Sequence, residues 1–262
     1  MFSTRNMILV FLIFIGESTR LAAQRNYDHR NGLKFNAVGL VTGLYSAQYE
    51  RGLGDNLSFV ATGFFRQKSI IPFSEPIDNF MKKNGLLGIN FEYIFMNEAQ
   101  VGVKGISPEL RYYIGDKKHR MFVSLFGQLE DLDMTVPASL PAAYQGTELN
   151  IIAPIDFAIR TISGGILLGK QFRFGRVGVD FVLIGPHLGN ATKVDATIKS
   201  QLLAGLNPED RELTKQKVIE RFNIDEKYFL TSLGETQGDI NAKRKVPYAG
   251  IRGFGVNLAY YF

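Results

Sequence analysis

Large apolar side chains recur at every second residue on both sides of three short turns. The turns are "GLGDN" (52–56), "GDKKH" (115–119) and "FGR" (174–176), each pairing glycine with polar residues. Alternation around such turns is the signature of β-hairpins, because successive side chains point to opposite faces of a strand. Before the first turn Tyr45, Ala47, Tyr49 and Leu53 share one face, with Ser46, Gln48 and Glu50 on the other. After it Leu57, Phe59, Ala61, Gly63 and Phe65 oppose Ser58, Val60, Thr62, Phe64 and Arg66. Around the second turn Ile106, Leu110, Tyr112 and Ile114 oppose Ser107, Glu109, Arg111 and Tyr113. Met121, Val123, Leu125, Gly127 and Leu129 then oppose Phe122, Ser124, Phe126, Gln128 and Glu130. Around the third, Ile162, Ile166, Leu168 and Phe172 oppose Thr161, Ser163, Gly165, Gly169 and Gln171. Val177, Val179, Phe181 and Leu183 oppose Gly178, Asp180, Val182 and Ile184.

The end of the chain follows the same rule. In "GFGVNLAYYF" (253–262) Phe254, Val256, Leu258, Tyr260 and Phe262 form a large apolar face, opposite Gly253, Gly255, Asn257, Ala259 and Tyr261. A strand over 248–262 and another over "LKFNAVGLV" (33–41), turning at Thr42-Gly43, bring the total to eight. Between hairpins lie long polar stretches, at 69–101, 133–157 and 188–247. Short turns at one end and long loops at the other is the asymmetry of an outer-membrane barrel.

The polar face separates this reading from a soluble β-sandwich or a lipocalin-like barrel. An outward polar face in water should be rich in Lys and Glu. Here it is mainly Gly, Ser, Thr and Gln, and the charges gather in turns and loops. Small residues suit a narrow eight-stranded interior, which side chains must fill. The expected fold is therefore all-β: an eight-stranded antiparallel transmembrane β-barrel with short periplasmic turns and long extracellular loops, one of them partly helical.

The first residues fit this placement. Arg5 precedes an apolar run over 7–15, and Ala22-Ala23 follow, so 1–23 reads as a secretory signal peptide and 24–262 as the barrel. The run is too short to cross a bilayer, which takes about twenty residues. Later apolar runs are short as well, so a membrane-embedded chain must satisfy its backbone as a closed barrel. The chain has 262 residues and no cysteine, which excludes disulfides, thiolate catalysis and cysteine metal sites. A net charge of +5, without a basic stripe, argues against nucleic acid.

"MILVFLIFI", "AQYERGLGDNLSFVATGFF", "SPELRYYIGDKKHRMFVSLFG" and "GVNLAYYF" together resemble the small bacterial outer-membrane β-barrel proteins, of a Bacteroidota-type family without an assigned activity. The resemblance covers most of 33–187 and 248–262. It implies residence in the bacterial outer membrane, contact with its lipid, and insertion by the barrel-assembly machinery. The terminal Tyr260 and Phe262 resemble the signal that this machinery reads, with Gly255 and Asn257 in the reverse of the usual order.

The inward face carries Glu50, Glu109, Arg111 and Asp180, with Arg66 on the same side. Charges in a narrow interior demand partners, so these are expected to form a lumen ion-pair network or, alternatively, a polar path. "GPHLGNAT" (185–192) resembles the His-x-Ser-Asn-Ala stretch of outer-membrane lipid A deacylases. Gly189 stands at the nucleophile's position, so no catalytic role carries over. "EDLD" (130–133) gathers acids that a divalent cation would use. His29, His119 and His187 are too far apart to read as a metal set, and no cofactor is expected. Asn207, Pro208, Glu209 and Asp210 announce a helix within 188–247, with Val218, Ile219 and Phe222 as its apolar stripe. That helix is expected to cover the rim, cap the mouth or bind a protein partner.

The expected function is that of a non-enzymatic integral outer-membrane component, structural, binding or accessory. The alternatives are a narrow conduit for small solutes or hydrophobic molecules, and a lipid-modifying enzyme.

Overall fold

The computed structural model describes residues 30–262, apart from 73, 85–89, 91, 117 and 145–146; the expected signal peptide over 1–23 lies outside the described residues. The three predicted turns join neighbouring antiparallel strands. β1 (Asn31–Asn36) and β2 (Tyr45–Gly52) lead through residues 53–56 to β3 (Leu57–Ile70). β4 (Gln100–Gly115) turns into β5 (His119–Tyr144), and β6 (Thr147–Phe174) into β7 (Val177–Lys199). Gly115 and Gly175 take φ of 107° and 62° at the second and third turns, a region that favours glycine. β8 (Phe229–Leu233), β9 (Gln237–Ala242), β10 (Val246–Arg252) and β11 (Gly255–Tyr261) complete the sheet.

Every pairing is antiparallel. β1 to β7 follow one another in order, and β11 pairs with β1 on one side and β7 on the other, closing a ring of eight strands. The last residue fastens the seam: Phe262 N–H donates to the Asn31 carbonyl at 2.9 Å, and Asn31 N–H returns the bond to Phe262 at 3.1 Å. β10 continues the line of β11 along β7, from Arg252↔Gly185 to Val246↔Ala191. The β8–β9 hairpin adds to the far end of β7.

Three expectations about element bounds change, and one about a residue's face. The first strand stops at Asn36, and residues Ala37–Val41 form a short helix, not its continuation. The Asn36 side chain accepts the Gly39 N–H at 2.9 Å, a helix N-cap that diverts the backbone from the ladder. Residues 133–157 are not an irregular loop, because β5 and β6 run on as one long hairpin. Pro137, Pro141 and Pro154 argue against a strand in sequence, yet Pro137 stands opposite Pro154 in register and the ladder continues past them. Residues 188–247 are also largely ordered: β7 extends to Lys199, and the last strands begin at Val246. Finally, Ile184 lies outward beside Leu183. Leu168 pairs with Ile184 but Gly169 with Val182, so one extra residue in β7 shifts the alternation.

The predicted helix is Pro208–Arg221. Asn207 caps it, accepting the Asp210 N–H at 2.7 Å, with Pro208 in the first turn where a missing N–H costs nothing. Another helix, Glu75–Asn84, lies in the 69–101 stretch.

The interior has two zones. Along β5 the inward residues are Arg120, Phe122, Ser124 and Phe126, then Met134, Val136, Ala138 and Leu140. Along β6 they are Gln171, Gly169, Leu167, Ser163 and Thr161, then Ile159, Phe157, Ile155 and Ala153. One face thus changes from largely polar, with buried aromatics, to apolar on both strands. The apolar zone joins Val218 of the helix and Phe222 at its C-terminal cap to Phe229, Ile240 and Val246 in a single core. The outward face changes the other way. Leu125, Ile166 and Leu258 are exposed at 63, 49 and 52%, whereas Asp131, Arg160 and Lys193 occupy the outer positions further along their strands.

Candidate functional site

The ring's interior is filled at its polar zone by charges from facing strands. Glu109, Arg111 and Tyr113 alternate on β4 and so project inward together. Arg111 Nη2 donates to Glu109 Oε2 at 2.9 Å, and Nη1 reaches Asp180 Oδ2 of β7 at 2.8 Å. Lys34 of β1 lies between Asp180 and Glu50 of β2, its Nζ 2.6 Å from Glu50 Oε2. From the far side Arg252 Nη1 donates to Glu109 Oε1 at 2.9 Å. Three cations therefore face three carboxylates, the balance a water-poor interior requires, since each unpaired charge there costs several kcal/mol (on the order of 3–5 when one partner is lost).

Neutral groups complete the network. Gln171 of β6 shares the two hydrogens of Nε2 among Tyr261 Oη at 2.8 Å, Tyr113 Oη at 3.0 Å and Asp180 Oδ1 at 3.1 Å. Ser58 of β3 donates to Glu50 at 2.7 Å, and Tyr113 Oη donates to the same oxygen. The Arg111 guanidinium lies 4.0 Å over the ring of Phe122 from β5. All eight ring strands thus place a side chain at this level. Lys34, Asp180 and Arg111 have no exposed surface and Glu109 1%.

The four predicted lumen residues, Glu50, Glu109, Arg111 and Asp180, come together in this one network. Arg66 does not join them: it is buried further up β3 and donates to the Ile70 carbonyl at 2.9 Å. Sequence reasoning missed Lys34, Gln171 and Arg252 as members. Lys34 carried a usable signal, as it shares the inward phase of β1 with Gly32 and Asn36. Arg252 carried none, because its approach depends on how β10 crosses β7.

The other candidates disperse. Alternation splits "EDLD" between faces: Glu130 turns inward, Asp131 pairs with Arg160, and Asp133 pairs with Lys68 at 2.7 Å. Among the described residues no three acids or histidines gather as a metal site. His187 points inward against Phe126 and Tyr248, its Nδ1 3.3 Å from the Gly185 carbonyl. A side chain at Gly189 is barred, because a Cβ there would stand 2.0 Å from the Ile162 carbonyl oxygen. The missing nucleophile is therefore a packing requirement of the β6–β7 pair. Tyr260 and Phe262 lie on the outer face, about half exposed, while Tyr261 between them is buried.

At the turn end the network forms the floor of a cavity of about 640 Å³, edged by residues of the three turns. At the other end the helix Pro208–Arg221 docks on the β5–β6 hairpin. Ala143 N–H donates to Thr214 Oγ1 at 2.8 Å, and Lys217 and Arg221 both bind Glu148.

In comparison with known proteins, no family model, curated relative or solved structure matches the chain.

Proposed function

We propose that the chain is a non-enzymatic integral outer-membrane β-barrel protein of a bacterium, a structural, binding or accessory component with its long loops facing outside. One observation carries the reading: the closed ring is inside out relative to a water-soluble fold. Its centre holds a neutralised ion network, and its outer face presents Leu33, Ile106, Leu110, Val123, Leu125, Ile166 and Leu258 to the surroundings. Water would oppose both features; lipid rewards the second and is kept from the first by closure of the wall.

The height of the apolar wall agrees. Met121 to Leu129 spans nine residues of β5, within the roughly 9–11 that a strand tilted near 45° uses to cross a bilayer. Beyond Asp131, Arg160 and Lys193 the inward face becomes apolar and the outward face polar, as expected where strands leave lipid for water. In this reading Tyr260 and Phe262 sit at the inner interface, and the terminal strand is what the barrel-assembly machinery engages. The helix Pro208–Arg221 and the β8–β9 hairpin stand outside, where a protein partner would find them.

Fractionation tests the proposal. The protein should sediment with the outer membrane, resist extraction by carbonate, and migrate differently in detergent gels before and after heating. Recovery in the soluble periplasm without detergent would overturn it.

A further inference from the structure

The cavity at the turn end is a blind pit with a basic wall, and the geometry points to a binding site for a small oxyanion of the phosphate type. This stands whichever solvent surrounds the ring. The volume of about 640 Å³ is that of a ligand pocket. Arg120 is its key residue. Its side chain is buried, with 8% of its surface exposed, and stacks 3.9 Å over the Tyr113 ring. Its hydrogen bonds go to neutral acceptors, the Asp55 carbonyl at 3.3 Å and Gln171 Oε1 at 2.7 Å. Its Nε has no partner. A buried guanidinium held by neutral groups lacks the counter-charge that burial calls for.

Other cations point the same way. Lys118, Arg173 and Arg30 line the pit, and among the described residues neither Arg120 nor Lys118 has an ion-pair partner. Arg173 is anchored over the Tyr261 ring at 4.1 Å and donates to the Gly175 carbonyl at 3.1 Å. Two carboxylates also reach the pit. Glu50 on its floor is already bound to Lys34, and Asp55 meets Arg120 through its backbone carbonyl. A concave, low-dielectric wall focuses the field of such charges on an entering anion. The planar, multi-donor guanidinium matches phosphate oxygens better than an ammonium does. The anion is either free in solution or the headgroup of a neighbouring phospholipid.

Calorimetric titration of pyrophosphate into the detergent-folded full chain at low salt tests this. Saturable binding is expected, weakened about tenfold or more by Arg120→Gln. Lys118→Gln should weaken it several-fold, Arg120→Lys should restore it in part, and Lys199→Gln, exposed at the far end of β7, should leave it unchanged. Repeating the titration in phosphatidylcholine vesicles with and without phosphatidylglycerol separates the sources. Competition by the anionic lipid assigns the site to a headgroup, and undiminished binding assigns it to a free anion. Absence of saturable binding to the wild type, or equal affinity in Lys118→Gln and the wild type, would overturn the site. Lys118 is exposed, so its variant decides even if Arg120→Gln fails to fold.

Discussion

Arg111 holds Asp180 across the interior of the ring, Nη1 to Oδ2 at 2.8 Å, although 69 residues separate them in the chain. The same guanidinium holds Glu109, so one side chain fixes β4 to β7 and bridges two acids. Arg111→Met should therefore cost about 3–5 kcal/mol, the penalty for stranding buried charge. Lys104→Met, at an exposed position of the same strand, should change stability by only about 0.5 kcal/mol or less. Urea unfolding midpoints of the two variants folded into vesicles check this; similar small shifts would refute the network's structural weight.

The same network should close the lumen. Lys34, Arg111, Phe122 and Gln171 are all within 1% of full burial, and eight strands leave little room beside them. Planar-bilayer recording of the purified protein should show no large, stable conductance steps. Such steps would favour the narrow conduit.

Gly169 should resist substitution. A Cβ there would lie 2.1 Å from Phe122 Cζ and 2.5 Å from the Phe181 carbonyl oxygen, whereas at Gly164 the nearest contact is 3.4 Å. Gly169→Val is expected to destabilise by about 1–3 kcal/mol or more through overpacking, with Gly164→Val well below it. Thermal unfolding of both variants makes the comparison.

The terminal aromatic should matter more for assembly than for stability. Phe262 and Phe254 both lie on the outer face, exposed at 47 and 59%. Replacing either by Ala removes similar apolar area, worth about 1.5–3 kcal/mol at most, and Phe262→Ala keeps the backbone bonds to Asn31. If the terminus is the assembly signal, Phe262→Ala should lower outer-membrane levels far more than Phe254→Ala. Equal levels would make Phe262 one more outward aromatic.

Docking of the helix Pro208–Arg221 should depend on pH. The hydrogen bond from Lys217, with the added charge of Arg221, holds the Glu148 carboxyl below its usual range. A carboxyl lowered on folding contributes stability above its unfolded pKa, near 4.3, and the contribution is lost as pH falls through the lowered folded value. The pair is exposed, and Val218 and Thr214 hold the helix independently, so spin-label distances between the helix and the β5–β6 hairpin should broaden only slightly in acid. Glu148→Gln should abolish that pH dependence and leave the helix docked.

The strands around the three turns were legible because alternation and glycine chemistry are local. Each residue's face follows from its parity, so the inward placement of Glu50, Glu109, Arg111 and Asp180 was readable before any contact was known. Parity fails where the backbone departs from a plain ladder, as at the extra residue near Leu183 and at Asn36, whose own side chain starts a helix. The long hairpin over 133–157 was hidden for another reason: the stretch reads as a long polar connection, and its prolines disfavour a ladder that continues past Pro137 and Pro154, which face each other in register, and past Pro141 opposite Asn150.

By itself the sequence determined a set of antiparallel hairpins with unlike faces, because side-chain direction in a strand is fixed by position along the chain. Only the tertiary structure decided that Lys34 meets Asp180, that Arg252 reaches Glu109, and that residues of three turns enclose one pit. Those contacts join residues up to about 150 positions apart. They exist only once β11 meets β1, since closing the ring sets which inward side chains face one another across its centre.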